Sequence, residues 1–189
     1  MSARGQAAAN APDPVVELCA FRVGDEEYVI DLRRIREIIQ PLPVIAVPRA
    51  PEFVEGVMNL RGEVIPVVDV RKRLGLAPRV GGRAKVLVVN VAGRIMGLVV
   101  DAVSEVLRIP RSGIGPPPAL LAAAGLRLFL GVCGARESRR SAGGGAPRGG
   151  AKGTPQRLRL LLNVKALLDP ATAGELAALR GLVTRGEAP

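Results

Sequence analysis

From Val15 onward the chain is a succession of short apolar runs, each broken within a few residues by Gly, Pro, Asp or Asn. Residues 15–23 read as a strand, Gly24 and Asp25 as its turn, and residues 27–30 as the returning strand of a hairpin. Asp31 then caps a short predicted helix over 32–39, with Leu32, Ile35, Ile38 and Ile39 on one face, and Pro41 and Pro43 end it. Residues 44–47 form a short extended piece closed by Pro48. Residues 52–60 lead into a turn at Arg61 and Gly62, and residues 63–68 run out as a strand. Pro66 inside that run places an edge or a bulge there, because proline cannot donate to a ladder. A helical turn over 69–74, capped by Gly75, follows.

The second half repeats the style. Residues 85–91 and 94–100 form a hairpin around Ala92 and Gly93, and residues 103–109 form a strand stopped by Pro110. Residues 114–118 are a rigid, proline-rich connector. Residues 127–133 and 157–163 pair as a last hairpin, 164–168 make a helical turn, and Pro170 starts a terminal amphipathic helix with Leu176, Leu179 and Leu182. Between the last two strands lies 134–156, dense in Gly, Ser, Ala and Arg, which cannot contribute to a core and is expected to be a long mobile loop. Residues 1–14 read as a disordered arm. Many short strands with small helices between them predict an all-β fold of barrels.

Composition narrows the function. With 189 residues, 48% of them hydrophobic, the chain can bury a real core, and its apolar content is nearly all aliphatic: no Trp, one Tyr, three Phe. There is no His, which removes the commonest acid–base catalyst at neutral pH and the commonest metal ligand. Cys19 and Cys133 stand far apart in apolar runs and read as buried thiols rather than a disulfide. No signal peptide is recognised, and no apolar stretch approaches the ~18 residues of a membrane span, so a soluble, cytoplasmic protein is expected. The net charge of +10 is concentrated in one place. Arg136, Arg139, Arg140, Arg148, Lys152, Arg157 and Arg159 are opposed there only by Glu137.

Catalytic patterns are missing: no phosphate-binding Gly loop, no GxSxG, no carboxylate pair at acid–base spacing and no EF-hand loop. Asp31, Asp69 and Asp101 each follow a strand and are better read as caps than as a converging site. No enzyme, cofactor or metal is expected. A basic β-barrel binding nucleic acid is the alternative from another class, but the four aromatics are scattered and none lies in the basic loop to stack bases. No DNA or RNA partner is therefore expected, and no membrane insertion.

Three stretches together resemble the CheW family of chemotaxis coupling proteins. They are residues 24–31 followed by 35–39, residues 51–62 running into 65–70, and residues 97–103 followed by 105–107. The resemblance implies two SH3-like five-stranded β-barrel subdomains sharing one core, over 15–80 and 81–183. It implies a non-catalytic scaffold that couples the cytoplasmic tip of a chemoreceptor (a methyl-accepting chemotaxis protein) to the regulatory domain of the histidine kinase CheA, clustered at the inner membrane through the receptors. A paralogue binding the receptor only is the near alternative. Receptor-binding residues implied by motif matching are Ile35, Glu37, Gly56, Asn59, Arg61 and Val106, and a second kinase contact would fall near Leu120. The first kinase contact would run through an apolar edge of the first barrel.

Each assignment has a plainer reading beside it. Arg61, next to a turn Gly, can hold its guanidinium clear of the sheet for a forked contact, or be an ordinary turn residue. Gly56 admits a partner backbone, or marks a β-bulge. Ile35 supplies apolar area to a groove, or faces the core. Asn59 orders the turn, and for Leu120 the plainer reading is burial rather than contact. The long basic loop and the loosely matching strand over 128–132 depart from the family pattern. The loop would weaken array packing, or recruit an acidic partner or the anionic membrane surface.

Overall fold

The computed structural model describes residues 12–77, 84–119, 127–134 and 158–169. The basic loop beyond Gly134, the helix expected from Pro170 and Leu120 lie outside them. β1 (Val15–Val23) and β2 (Glu26–Asp31) form the first hairpin, turned at Gly24 in the left-handed region. Asp31 Oδ1 accepts from the Arg33 N–H at 3.0 Å and caps a 3-10 turn over Leu32–Arg34. The expected helix stops there, because residues Ile35–Ile39 are a strand, β3. The apolar spacing of Leu32, Ile35, Ile38 and Ile39 fits a helix, but β-branched isoleucines also suit a pleated surface, and the partner decides. β3 pairs antiparallel with β6 (Lys85–Val91), so Ile35, Glu37 and Ile39 turn inward while Arg36 and Ile38 turn out.

β4 (Val54–Leu60) and β5 (Glu63–Asp69) form the next hairpin, and Asp69 caps α1 (Val70–Arg73) through the Lys72 N–H at 3.0 Å. β5 begins its parallel pairing with β7 (Arg94–Val100) only at Val67, opposite Gly97. Pro66 therefore stands where one side of β5 is still open, as its missing N–H requires. β8 (Ala102–Pro110) leads through a 3-10 turn at Arg111–Gly113 into the two-residue β9 (Ile114–Gly115). β10 (Phe129–Cys133) and β11 (Arg159–Leu162) pair as the last hairpin, and Asn163 caps α2 (Val164–Leu167).

The strands make two sheets, one ordered β8-β1-β2-β11-β10-β9 and the other β3-β6-β7-β5-β4. The expected pair of five-stranded barrels is thus one of five strands and one of six, the sixth being the short β9. The division between sheets is not the division at 80/81 along the chain: β1 and β2 belong with β8 to β11, and β3 to β7 form the other sheet.

The runs Leu18 to Phe21 and Val86 to Val89 do not alternate between apolar and polar, and the packing explains why. Leu18, Ala20, Val29 and Cys133 fill the six-stranded barrel. Met58, Ile65, Val67, Val86 and Val88 fill the five-stranded one. The intervening residues (Cys19, Phe21, Tyr28 and Ile30 from one sheet, Leu87, Val89 and Leu98 from the other) meet in a third, shared cluster. Strands buried on both faces need continuous apolar runs. Deleting a fully buried Leu at such a position costs roughly 2–5 kcal/mol, and the shared layer contains buried residues of both sheets.

Two arginines of α1 add polar ties across the same boundary. Arg71 pairs with Asp101, the residue between β7 and β8, and Asp101 also accepts from the Gly24 N–H of the β1–β2 turn at 2.7 Å. Buried Arg73 donates to the carbonyls of Leu167 at 2.5 Å and Asp169 at 2.9 Å, with its guanidinium 4.7 Å from the Phe53 ring centre. Asp101 is thus a cross-barrel tie rather than the local cap expected of it.

Candidate partner-binding site

The β4–β5 turn is the sequence Asn59, Leu60, Arg61, Gly62. Arg61 (φ 54°) and Gly62 (φ 91°) both lie at positive φ, the geometry of a two-residue turn that matches strand twist. Asn59 Oδ1 accepts from the Gly62 N–H at 2.7 Å. The β6–β7 hairpin repeats the device with Asn90, Val91, Ala92 and Gly93: Ala92 has φ 51°, Gly93 has φ 82°, and Asn90 Oδ1 accepts from Gly93 at 3.0 Å. Asn59 is therefore accounted for by turn chemistry. Arg61 is not. The backbone at that position favours Gly or Asn, and the matching position holds Ala, so nothing local asks for a long cationic side chain.

What Arg61 does is reach Glu37. Its Nη2 stands 2.8 Å from Glu37 Oε2, with the Arg61 side chain 77% exposed and that of Glu37 26% exposed. β3 and β4 are the two outer strands of the five-stranded sheet, and this pair ties β3 to the β4–β5 turn. Arg36 and Glu63, 3.9 Å apart, link β3 to the start of β5, and Ile39 and Leu60 pack against one cluster. An exposed pair of this kind adds only about 0–1 kcal/mol. The guanidinium is held in place while most of it faces solvent.

Gly56 makes room for the chain's own backbone. Its φ is 143°, and a Cβ there would lie 2.1 Å from the Ile45 carbonyl oxygen. The backbone that comes close belongs to this chain: Ile45 exchanges hydrogen bonds with Val57 at 2.8 and 2.9 Å, beside a register shift between Val54 and Gly56. Ile35 is half-buried against the shared core. Val106 is 53% exposed on β8, opposite Cys19, in the other sheet. The structure brings Glu37, Asn59 and Arg61 together; Ile35 shares β3 with Glu37, and Val106 stands apart on the second barrel.

Sequence reasoning named no residues for the apolar edge. The connector before β4 exposes Leu42, Val44, Ile45 (73% exposed) and Val47, with Val64 on the neighbouring strand. Four prolines (Pro41, Pro43, Pro48 and Pro51) keep this stretch extended, and Ile45 attaches it to the free side of β4 by a single bridge. Exposed aliphatic side chains along a short, proline-flanked edge are the available signal, visible only once the strand order is known.

The aromatics offer no stacking platform. Phe21, Tyr28 and Phe129 are buried and stacked on one another, and Phe53 lies under Arg73. Both cysteines are free and buried, and burial pushes their thiols above the usual range. Among the described residues no three acidic or thiol groups converge as metal ligands, and no helix is long and apolar enough to cross a membrane.

The sequence of the CheW-like domain family matches residues 17–171 of this chain. The chain belongs to the CheW-like family. It is 45% identical to the chemotaxis protein CheW of Rhizobium meliloti (strain 1021) over 103 residues, 54% of this chain and 66% of that one. It is 37% identical to the chemotaxis protein CheW of Helicobacter pylori over 110 residues, 58% of this chain and 67% of that one. Its match thus spans about two thirds of these relatives' length. Among solved structures it is similar to the scaffolding protein TtCheW from Thermoanaerobacter tengcongensis, with a TM-score of 0.64 and 27% identity, covering 82% of this chain and 92% of that one. Two SH3-like subdomains around a common core are thus the CheW-like architecture of this chain.

Proposed function

We propose that this chain is a non-catalytic coupling scaffold that joins a chemoreceptor's cytoplasmic tip to the regulatory domain of the kinase CheA, in complexes gathered at the inner membrane through the receptor. The observation that carries this reading is Arg61: a long cation at a backbone position that does not favour it, held by Glu37 and largely exposed, within a family of chemotaxis proteins. Held this way, the guanidinium keeps donors free for a carboxylate or carbonyl of a receptor helix. Glu37 positions it, Asn59 shapes the turn that presents it, and Ile35 and Val106 supply apolar area on the two barrels. Gly56 contributes by letting the Ile45 edge lie flat against β4.

The aliphatic ribbon of Leu42, Val44, Ile45 and Val47 supports an apolar contact with a matching barrel of the kinase at that edge. Leu120 is kept as a second kinase contact on the family resemblance alone.

Pull-downs of the purified chain with a receptor tip and, separately, with the kinase regulatory domain test the assignment. Arg61→His is expected to lose the receptor and keep the kinase, and Ile45→Asp to do the reverse. Retention of both partners by both variants would remove these surfaces from the account. A wild-type chain that binds the receptor alone would instead be the receptor-only paralogue.

A further inference from the structure

The mouth of the six-stranded barrel holds a feature that the coupling role does not use. β1 pairs with β8 from Val15 opposite Pro110 to Arg22 opposite Ala102, but its pairing with β2 starts only at Leu18, opposite Asp31. The chain turns away there into the 3-10 turn at Leu32–Arg34. Val15, Val16 and Glu17 therefore have a neighbouring strand on one side only.

That open edge borders two adjoining clefts, of about 460 and 390 Å³, which share Val16, Arg33 and Arg111 as walls. The floor of the second is aliphatic and includes Ile114, Leu161 and the largely exposed Leu130. Four arginines stand around the pair of clefts against two carboxylates. Both carboxylates are already matched: Asp31 holds Arg33 at 2.7 Å and Glu17 holds Arg108 at 2.7 Å. Arg34 and Arg111 remain, and among the described residues neither makes an ion pair or a side-chain hydrogen bond.

We propose that this cleft binds an extended acidic segment of a partner protein, which adds as a short strand beside Val15–Glu17, lays aliphatic side chains on Leu130 and Ile114, and places carboxylates on Arg34 and Arg111. An unpaired strand edge supplies backbone donors and acceptors, and alternate side chains of an added strand fall on opposite sides. The cleft offers both kinds of contact, an aliphatic floor and two guanidinium forks, which suit carboxylates. This is charge complementarity within a shaped cleft. The chain's own first eleven residues contain Arg4 and no Asp or Glu, so they do not meet that requirement.

The test is fluorescence anisotropy with a labelled eight-residue peptide alternating Glu and Val, at physiological salt. Three controls accompany it: a peptide of the same composition with the four Glu in one block, an alternating Lys and Val peptide, and anionic phospholipid vesicles. The alternating acidic peptide is expected to bind saturably and at least about tenfold more tightly than the block peptide. The loss on Arg34→Glu with Arg111→Glu is expected to be of similar size, with Leu130→Lys as an independent second variant. Both changes are at exposed positions, and unchanged melting curves verify the fold. Equal binding of the two acidic peptides, binding that survives both variants, or no peptide binding at all overturns the proposal. Vesicle binding lost in the variants without peptide binding overturns it in favour of a lipid surface.

Discussion

Replacing Gly56 by Ala separates two explanations of one residue. If Gly56 exists to admit a partner's backbone, the folded monomer should tolerate a methyl group and only binding should suffer. The geometry says otherwise: the new Cβ would lie 2.1 Å from the Ile45 oxygen and 2.7 Å from its carbonyl carbon, both backbone atoms. A non-Gly residue at φ 143° costs about 1–3 kcal/mol. Pushing the Ile45 segment off β4 forfeits its two hydrogen bonds with Val57, about 1 kcal/mol each. The smaller conformational entropy of the unfolded Ala variant returns about 0.4–1 kcal/mol. A net loss of about 2–5 kcal/mol follows, equivalent to a fall in Tm of roughly 4–20 °C for a chain of this size. Gly62→Ala is the control, since its φ is also positive but its Cβ would meet nothing within 4 Å. Urea unfolding followed by circular dichroism should show Gly56→Ala clearly less stable than Gly62→Ala. A Gly56→Ala protein as stable as wild type that no longer binds partners would refute the steric argument and return Gly56 to the interface.

Three further outcomes follow from the same geometry. Arg61→Ala should change stability by less than about 1 kcal/mol, since its ion pair is exposed, while weakening receptor binding; a large loss of stability would make Arg61 a structural residue. Asp101→Ala should cost about 3–5 kcal/mol in urea unfolding, because it takes the carboxylate from Arg71, only 17% exposed, which then keeps the Ala77 carbonyl and whose Nε already lacks a partner; adding Arg71→Met should recover part of the loss, and a cost below about 1 kcal/mol would contradict the cross-barrel tie. Burial, with a smaller effect of Glu26, pushes the Tyr28 hydroxyl up to about 12. Its folded pKa lies above its unfolded one, so the stability it contributes is present below about pH 10 and is lost as pH rises through about 12, on the order of 2–3 kcal/mol. As the only Tyr in the chain, its tyrosinate absorbance reports that titration directly, and Tyr28→Phe should lose this part of the alkaline destabilisation.

The strands were legible in the sequence wherever turn chemistry and apolar runs agreed. Both Asn-x-x-Gly hairpins lie where their turn residues put them, and Pro66 marks a real opening in the pairing of β5. Residues 32–39 misled because four apolar positions, Leu32, Ile35, Ile38 and Ile39, fit a helical period; only the neighbouring β6 makes 35–39 a strand. The sheet partition was hidden for a similar reason. Runs such as Leu87 to Val89 reveal burial on both faces but not which barrel each face serves, and that is fixed by long-range pairing. In the site, the turn that carries Arg61 could be read from its Gly. The pairing with Glu37, 24 residues away, and the approach of Ile45 to Gly56 are contacts between separate elements, which no local pattern encodes.

The most direct test of the coupling role is co-sedimentation of the isolated kinase regulatory domain with receptor-bearing vesicles, with and without this chain. The kinase domain is expected to pellet with the receptor only when the chain is present, and Arg61→His to abolish the effect. A kinase domain that stays in the supernatant regardless, while the chain itself pellets with the receptor, would contradict coupling and leave a receptor-binding protein of the same fold.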